Sequence, residues 1–380
     1  MGRTPHDLGD IVRRFRPGLE AVQPLSSVQG RALSAIGLCR TAALGGHQGV
    51  CLDCGHKEDP SYNSCRNRNC PKCQGLAQER WIAARARALL QVPHFHAVFT
   101  LPAQLRPLAL LHPVAIYDLM FRCVAATLLE MGRSRLGATL GLTLVLHTWT
   151  RKLTYHVHLH VLVTAGGLAL DGESFTPVQE TFLLHVHPLA ELFKGKLMDG
   201  LRGLRKQGVL TLTDGAFGGL MAELQDLHWH AYLKEAFRSP EFVLEYLGRY
   251  THRVGISNSR IVQETEDRIT FRTKGQGTET ISQVEFLRRF VRHVLPDGFK
   301  KIRHAGLYAS PKALAKARAC LETDSAPPPP SRTWEKELED LTDRDVTRCS
   351  ACGGPLFPVR LPSTLPESRR TYRRRTRSPP

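Results

Sequence analysis

Hydrophobic and polar positions alternate most regularly between Gly141 and Ala165, where GLTLVLHTW, a short TRKLTY connection and HVHLHVLVTA follow one another. Period-two alternation of aliphatic and β-branched residues predicts two adjacent strands of a hairpin. A symmetric hairpin centred between Lys152 and Leu153 sets His147 across from His158. Strand alternation then puts His147, His158 and His160 on one face. Cross-strand Cβ atoms lie ~5 Å apart and residues two apart on a strand roughly 6.6 Å, so three imidazoles can converge on one ion. His156 shares the face but sits about 13 Å along the strand from His160, too far to share that ion. A single half-buried histidine needs only one polar partner; three together on an aliphatic face are satisfied at once by a metal. Three neutral nitrogens also leave coordination positions open, as a catalytic ion requires.

The rest of the chain alternates between helical and strand periodicities. Residues 1–45 carry mixed helical patterns (DIVRRFRPGL, then LSAIGLCRTAAL), and LAQERWIAARARALLQ predicts a helix that ends before Pro93 and packs through Trp81, Ile82, Leu89 and Leu90. PHFHAVFTLPAQL reads as a strand with His94, His96, Val98 and Thr100 on one face; residues 104–133 read as helix interrupted at Pro107 and Pro113. After the hairpin, Gly166-Gly167 turns into a strand-and-loop region and a helix around LAELFKGKLMDGLRGLRKQG. SPEFVLEYLGRYTHRVGIS opens a helix with Ser239 as N-cap and Pro240 in its first turn. There Tyr246 and Tyr250, four residues apart, emerge on one face, with Arg249 and Arg253 each three residues after a tyrosine. Residues 256–310 predict a hairpin and a basic helix. Beyond them come PPPPSR, a linker by composition, and the basic tail RRTYRRRTRSPP, expected to be disordered and available to phosphates. The division expected is residues 1–90 for a helical and zinc-binding domain, 91–310 for a catalytic domain, and 311–380 for linker and tail.

Composition sharpens this picture. A net charge of +17 and a pI near 9.7 point to polyanionic partners. No run of 18 apolar residues and no apolar leader occur, so neither membrane nor export is expected. Ten cysteines, mostly in C-x-x-C pairs, then favour metal over disulfides. Cys51-x-x-Cys54 and Cys70-x-x-Cys73 form two knuckles expected to close one structural, tetrahedral Zn²⁺ site, with Cys65 a fifth candidate and His47 and His56 as substitutes. Arg66, Arg68 and Lys72 on the same loop are expected to touch phosphate. Cys349-x-x-Cys352 looks like half of a zinc ribbon, but no second pair follows it, and metal is not expected there.

Four stretches in order, SCRNRNCPKCQ, HAVFTLP, LHTW…HVHLHVLVTAGG and YLGRYTHR, resemble the HUH-type single-strand DNA transposases of rolling-circle insertion sequences, the IS91 family. The resemblance covers about residues 40 to 310. It implies an α+β fold: a central antiparallel sheet carrying the histidines, flanking helices, and a small N-terminal zinc-knuckle domain. It implies that His147, His158 and His160 hold Mg²⁺ or Mn²⁺, and that Tyr246 and Tyr250 are nucleophiles that cleave and rejoin single-stranded DNA through 5′-phosphotyrosine. The implied partners are single-stranded DNA at the element ends and target, with host replication or helicase proteins as candidates, in the bacterial cytoplasm at the nucleoid. A rolling-circle replication initiator or a relaxase-type nicking enzyme would use the same hairpin and tyrosines. The N-terminal knuckles and the lack of a helicase motif favour the transposase.

Overall fold

The protein is represented by a computed structural model that describes residues 6–73, 75–179, 181, 183–237, 255–323, 333, 336, 339–340 and 345–365. Among them the strands run, in chain order, β1 Gly46–Cys51, β2 Ser61–Tyr62, β3 His94–Thr100, β4 Ala138–Trp149, β5 Tyr155–Ala169, β6 Phe175–Pro177, β7 Ala231–Phe237, β8 Ile261–Glu264, β9 Arg268–Arg272, β10 Thr278–Ser282, β11 Ile302–Gly306 and β12 Leu356–Leu361. The fold is α+β, with antiparallel sheets and flanking helices, as expected.

The chain divides into two compact units that are not consecutive segments. One comprises Met1–Ala77, Ile256–Arg288 and Pro329–Pro380; the other comprises Gln78–Gly255 and Arg289–Pro328. The stretch 256–288 and the C-terminal segment, assigned from sequence to the catalytic domain and to a linker and tail, therefore fall in the unit that holds the N-terminus.

The second unit is built on a sheet ordered β11-β4-β5-β3-β7, with β6 paired to β5. Its two longest strands, β4 and β5, form the predicted hairpin, and Val145 pairs with His160, Leu146 with Leu159 and His147 with His158. The pleat separates the faces. Phe95, Ala97 and Phe99 of β3, Leu142, Leu144 and Leu146 of β4, and Val157, Leu159, Val161 and Val163 of β5 join one buried core. Met120, Val124 and Leu128 of helix Pro113–Leu136 and Phe193, Leu197 and Leu201 of helix Val186–Lys206 pack into it. The other face takes the alternate positions. Val145 and Leu162 there are covered by Trp81, Ile82 and Ala86 of helix Gly75–Ala88, and the histidines occupy the neighbouring positions.

The tip of the hairpin is held by a buried histidine. Leu153 adopts a left-handed φ of 58°, unusual for a leucine, and its side chain is fully buried. Its carbonyl accepts a hydrogen bond from His293 Nε2 at 3.1 Å, while His293 Nδ1 lies 3.2 Å from Thr148 Oγ1 on the other arm. One neutral imidazole thus donates to one arm and accepts from the other.

In the first unit, helices Leu8–Val22 and Ser27–Leu38 pack together, with Leu8, Ile11, Leu33 and Ile36 fully buried. Leu8 N donates to Asn258 Oδ1 at 3.2 Å and Arg14 pairs with Glu264, which ties this helix pair to the sheet β10-β9-β8.

Burial depresses both His94 and His293 from 6.5 to about 4. Between those values the unfolded chain binds more protons than the folded one, so stability rises with pH, is full above about 6.5 and drains as pH falls toward 4. Each histidine contributes up to roughly 3 kcal/mol over that range. The urea midpoint of this unit should therefore fall from pH 7 to pH 5, and His293→Asn should flatten the dependence.

Candidate metal centre and zinc module

The register of the hairpin builds the first site. The ring centroids of His147 and His160 are 4.4 Å apart, those of His158 and His160 4.9 Å, and those of His147 and His158 5.3 Å. One nitrogen from each of the three lies within 4.8 Å of the others. His147 and His160 are buried and His158 is half-buried. His156, on the same strand, stands outside the group.

Neighbouring groups orient these rings. His158 Nδ1 lies 3.0 Å from the carbonyl of His156, which can only accept, so Nδ1 carries the proton and Nε2 keeps its lone pair. Desolvation holds the His158 pKa down to about 4, and that of His160 well below 6.5, so both are neutral at pH 7. His160 Nδ1 is hydrogen-bonded to His96 Nε2 at 2.8 Å, with the rings stacked 5.1 Å apart. Trp149 stacks on His147 at 4.7 Å. The donor set suits a metal: three imidazoles, two of them neutral and fixed by outer hydrogen bonds, with positions left for oxygen ligands.

His96 is a site residue that the sequence pattern places on a strand face without a role. Its partner comes from 64 residues further on in sequence. The pairing of Val98 with His160 in β3–β5 brings the two together.

The cysteines fall into two groups of four. Cys39, Cys65, Cys70 and Cys73 form one; Cys51, Cys54, Cys349 and Cys352 form the other. The expected single site made of Cys51, Cys54, Cys70 and Cys73 is thus not the arrangement found, since each knuckle has a different pair of partners. Cys65, the fifth candidate, is a full member of the first group, with its Sγ 3.7 Å from that of Cys73. His47 and His56 belong to neither group. Cys39 lies in LSAIGLCRTAAL, where the helical pattern masks it as a ligand. The cysteine count carries a signal of it: setting aside the lone Cys123 and Cys320 leaves eight, enough for two sets of four.

The first group has the marks of a thiolate site. The amides of Cys65 and Asn67 donate to Cys39 Sγ and Cys65 Sγ at 3.3 and 3.4 Å. Between residues 46 and 73 the only apolar side chains buried as fully as a core are those of Cys51 and Cys70. A segment with so little core needs another source of order, and four thiolates closing on Zn²⁺ would supply it.

The basic residues of this loop behave differently from one another. Lys72 Nζ pairs with Asp7 and donates to the Cys39 carbonyl at 3.1 Å, so its charge braces the module. Arg66 is exposed, with a left-handed φ of 54°, and Arg68 is half-buried. Tyr246, Tyr250, Arg249 and Arg253 lie outside the described residues.

Residues 141–315 match the family model described as a putative transposase, and residues 11–101 match the transposase zinc-binding domain. The chain is 38% identical over 375 residues to the putative transposase y4qJ of Sinorhizobium fredii (strain NBRC 101917 / NGR234), covering 93% of this chain and 94% of that one. It is 29% identical over 350 residues to the transposase for insertion sequence element IS801 of Pseudomonas savastanoi pv. phaseolicola, covering 87% and 83%. No solved structure matches. A zinc-binding module joined to a histidine-bearing sheet is here the equipment of a transposase, an enzyme that cuts and transfers DNA strands. The chain belongs to the IS91 family of insertion-sequence transposases. Among the described residues no helix is long and apolar enough to cross a membrane.

If the first cysteine group is the structural zinc site, Cys39→Ser should remove about one Zn²⁺ per chain and loosen the loop 61–73. Cys123→Ser, in the core of the other unit, should leave bound zinc unchanged. Elemental analysis of the purified proteins, with amide exchange over the loop, makes the comparison.

Proposed function

We propose that this transposase cleaves and rejoins single-stranded DNA through 5′-phosphotyrosine intermediates, with Tyr246 and Tyr250 as nucleophiles beside His147, His158 and His160. The observation that carries the reading is the convergence of three imidazoles on one face of the central sheet. Family membership supplies the substrate class, DNA.

A phenol with a pKa near 10 is a poor nucleophile at pH 7, and a phosphodiester anion repels attack. A divalent ion, Mg²⁺ or Mn²⁺, held by His147, His158 and His160 would polarise the scissile phosphate. Three imidazoles by themselves favour softer ions, and phosphate and water oxygens completing the shell suit the harder ones. The tyrosine oxygen forms a bond to phosphorus as its proton leaves. The bond to the 3′ oxygen breaks, and that oxygen takes up a proton to give a free 3′-hydroxyl. One phosphodiester has been exchanged for another, so rejoining requires no nucleotide hydrolysis, in keeping with a sequence that has no G-x-x-x-x-G-K-[ST] loop.

Tyr246 and Tyr250 are i and i+4 in YLGRYTHR, a spacing that gives both hydroxyls one helix face. Two nucleophiles let a second strand be cut while the first stays attached. Arg249 and Arg253 follow them at helical spacing to neutralise phosphate, and Arg66 and Arg68 add contacts that depend on charge more than on base sequence. Such a reaction belongs in the bacterial cytoplasm, at the nucleoid, with host replication or helicase proteins exposing the single strand.

Tyr246→Phe and Tyr250→Phe keep the ring and remove the hydroxyl, so stability should change by about 1 kcal/mol at most. Transposition should fail in each single variant. The covalent protein–DNA adduct on a labelled single strand should be absent from the double variant; an adduct that persists there puts the nucleophile elsewhere. His160→Ala should lose cleavage yet keep most DNA binding, because binding is spread over many phosphate contacts.

A further inference from the structure

Half of the second cysteine group lies outside what the family matches account for. The zinc-binding match ends at residue 101 and the transposase match at 315, so Cys349 and Cys352 are beyond both. Yet Cys51 Sγ is 3.4 Å from Cys352 Sγ, and Cys54 Sγ is 3.8 Å from Cys349 Sγ, across sequence separations of 301 and 295. All four sulfurs lie within 4.8 Å of one another.

The two C-x-x-C pairs are built alike. Each is followed by a glycine with positive φ, Gly55 at 71° and Gly353 at 76°. In each, that glycine's amide donates to the carbonyl of the first cysteine, at 3.2 Å for Gly55 to Cys51 and 2.9 Å for Gly353 to Cys349. The first cysteine's own amide donates onward, to His56 and Gly354 carbonyls, both at 2.8 Å. The Ala351 amide points at Cys349 Sγ at 3.4 Å, a bond that stabilises a thiolate. Two such knuckles facing each other form a closed set of four sulfur ligands, the composition of a structural zinc site. Disulfide-bonded sulfurs would stand about 2.05 Å apart.

The same four residues hold an otherwise weakly anchored strand. β12 pairs with β1 over six positions, from Gly46–Leu361 to Cys51–Leu356, but its side chains are largely exposed, Phe357 by 57% and Val359 by 42%. Hydrophobic burial therefore does little to return this segment across a loop of some 300 residues, whose closure carries an entropic cost. A metal bond does it directly.

We propose that Cys51, Cys54, Cys349 and Cys352 bind a second zinc ion, which clasps residues 345–365 onto β1. The zinc module of this transposase is then discontinuous, completed by the far end of the chain, and the basic stretch from Arg369 onward starts from an anchored point.

The test uses the full-length protein. Elemental analysis should give two Zn²⁺ per chain, and Cys349→Ser/Cys352→Ser should give one, with amide protection lost over 345–365 and 46–51 but kept over the sheet 261–282. Differential alkylation of the wild type needs no folded variant. Cys54 and Cys352 are exposed, so protection of their thiols reports ligation and not burial. They should resist alkylation until a chelator is added, and all ten cysteines should then react under denaturing, non-reducing conditions. One zinc in the wild type, equal alkylation of Cys352 with and without chelator, or four thiols that stay unreactive as disulfides would each overturn the proposal.

Discussion

The antiparallel register of β4 on β5 is the constraint on which the candidate centre depends. Side chains alternate with a period of two, so a slip of one residue would carry the histidines of one strand into the apolar core and the leucines out. The pairings of Val145 with His160 and His147 with His158 prevent this, because the opposite parity of both strands is committed to the buried cluster under the helices Pro113–Leu136 and Val186–Lys206. The hydrophobic face thus sets the positions of the polar one. His293, bridging Thr148 and the Leu153 carbonyl, ties the two arms together at the hairpin tip.

Burial also decides the chemical state of the site. An imidazole taken out of water gives up its proton sooner, and His158 and His96 are both held at about 4. Histidine at these positions is a neutral, directional donor or acceptor at cellular pH, not a charge. The carbonyl of His156 and the ring of His96 select which nitrogen of His158 and His160 remains available. This outer layer matters for ions, since a free imidazole could turn or present its protonated nitrogen.

The zinc module relies on a different source of order. Its helices Leu8–Val22 and Ser27–Leu38 have an apolar interface of their own, but the loops that follow bury little beyond sulfur. Lysine and carboxylate in the Lys72–Asp7 pair link the knuckle loop back to the first helix. Clustered sulfur, in place of a hydrophobic core, marks the part of the molecule between residues 39 and 73, where a metal would supply the missing order.

Local pattern is enough for the hairpin, the face of His147, His158 and His160, the strand at His94–Thr100 and the α+β class, because each follows from a period of two or 3.6 over adjacent residues. The four motifs carry the family for the same reason: each is a short run, the longest broken only by the hairpin turn. Partners from distant parts of the chain are not legible in this way. His96 meets His160 only through the β3–β5 pairing, and Cys39 meets Cys65 only after the helix pair folds back. Cys349-x-x-Cys352 has no partner pair downstream, and its partners Cys51 and Cys54 stand some 300 residues upstream. Spacing within a motif says that thiols will sit on one turn, but says nothing of which turn they will face. Knuckles, strands and faces were therefore written in the local sequence. Which knuckle closes on which was settled in three dimensions, because that choice depends on how the chain leaves one unit and returns to it.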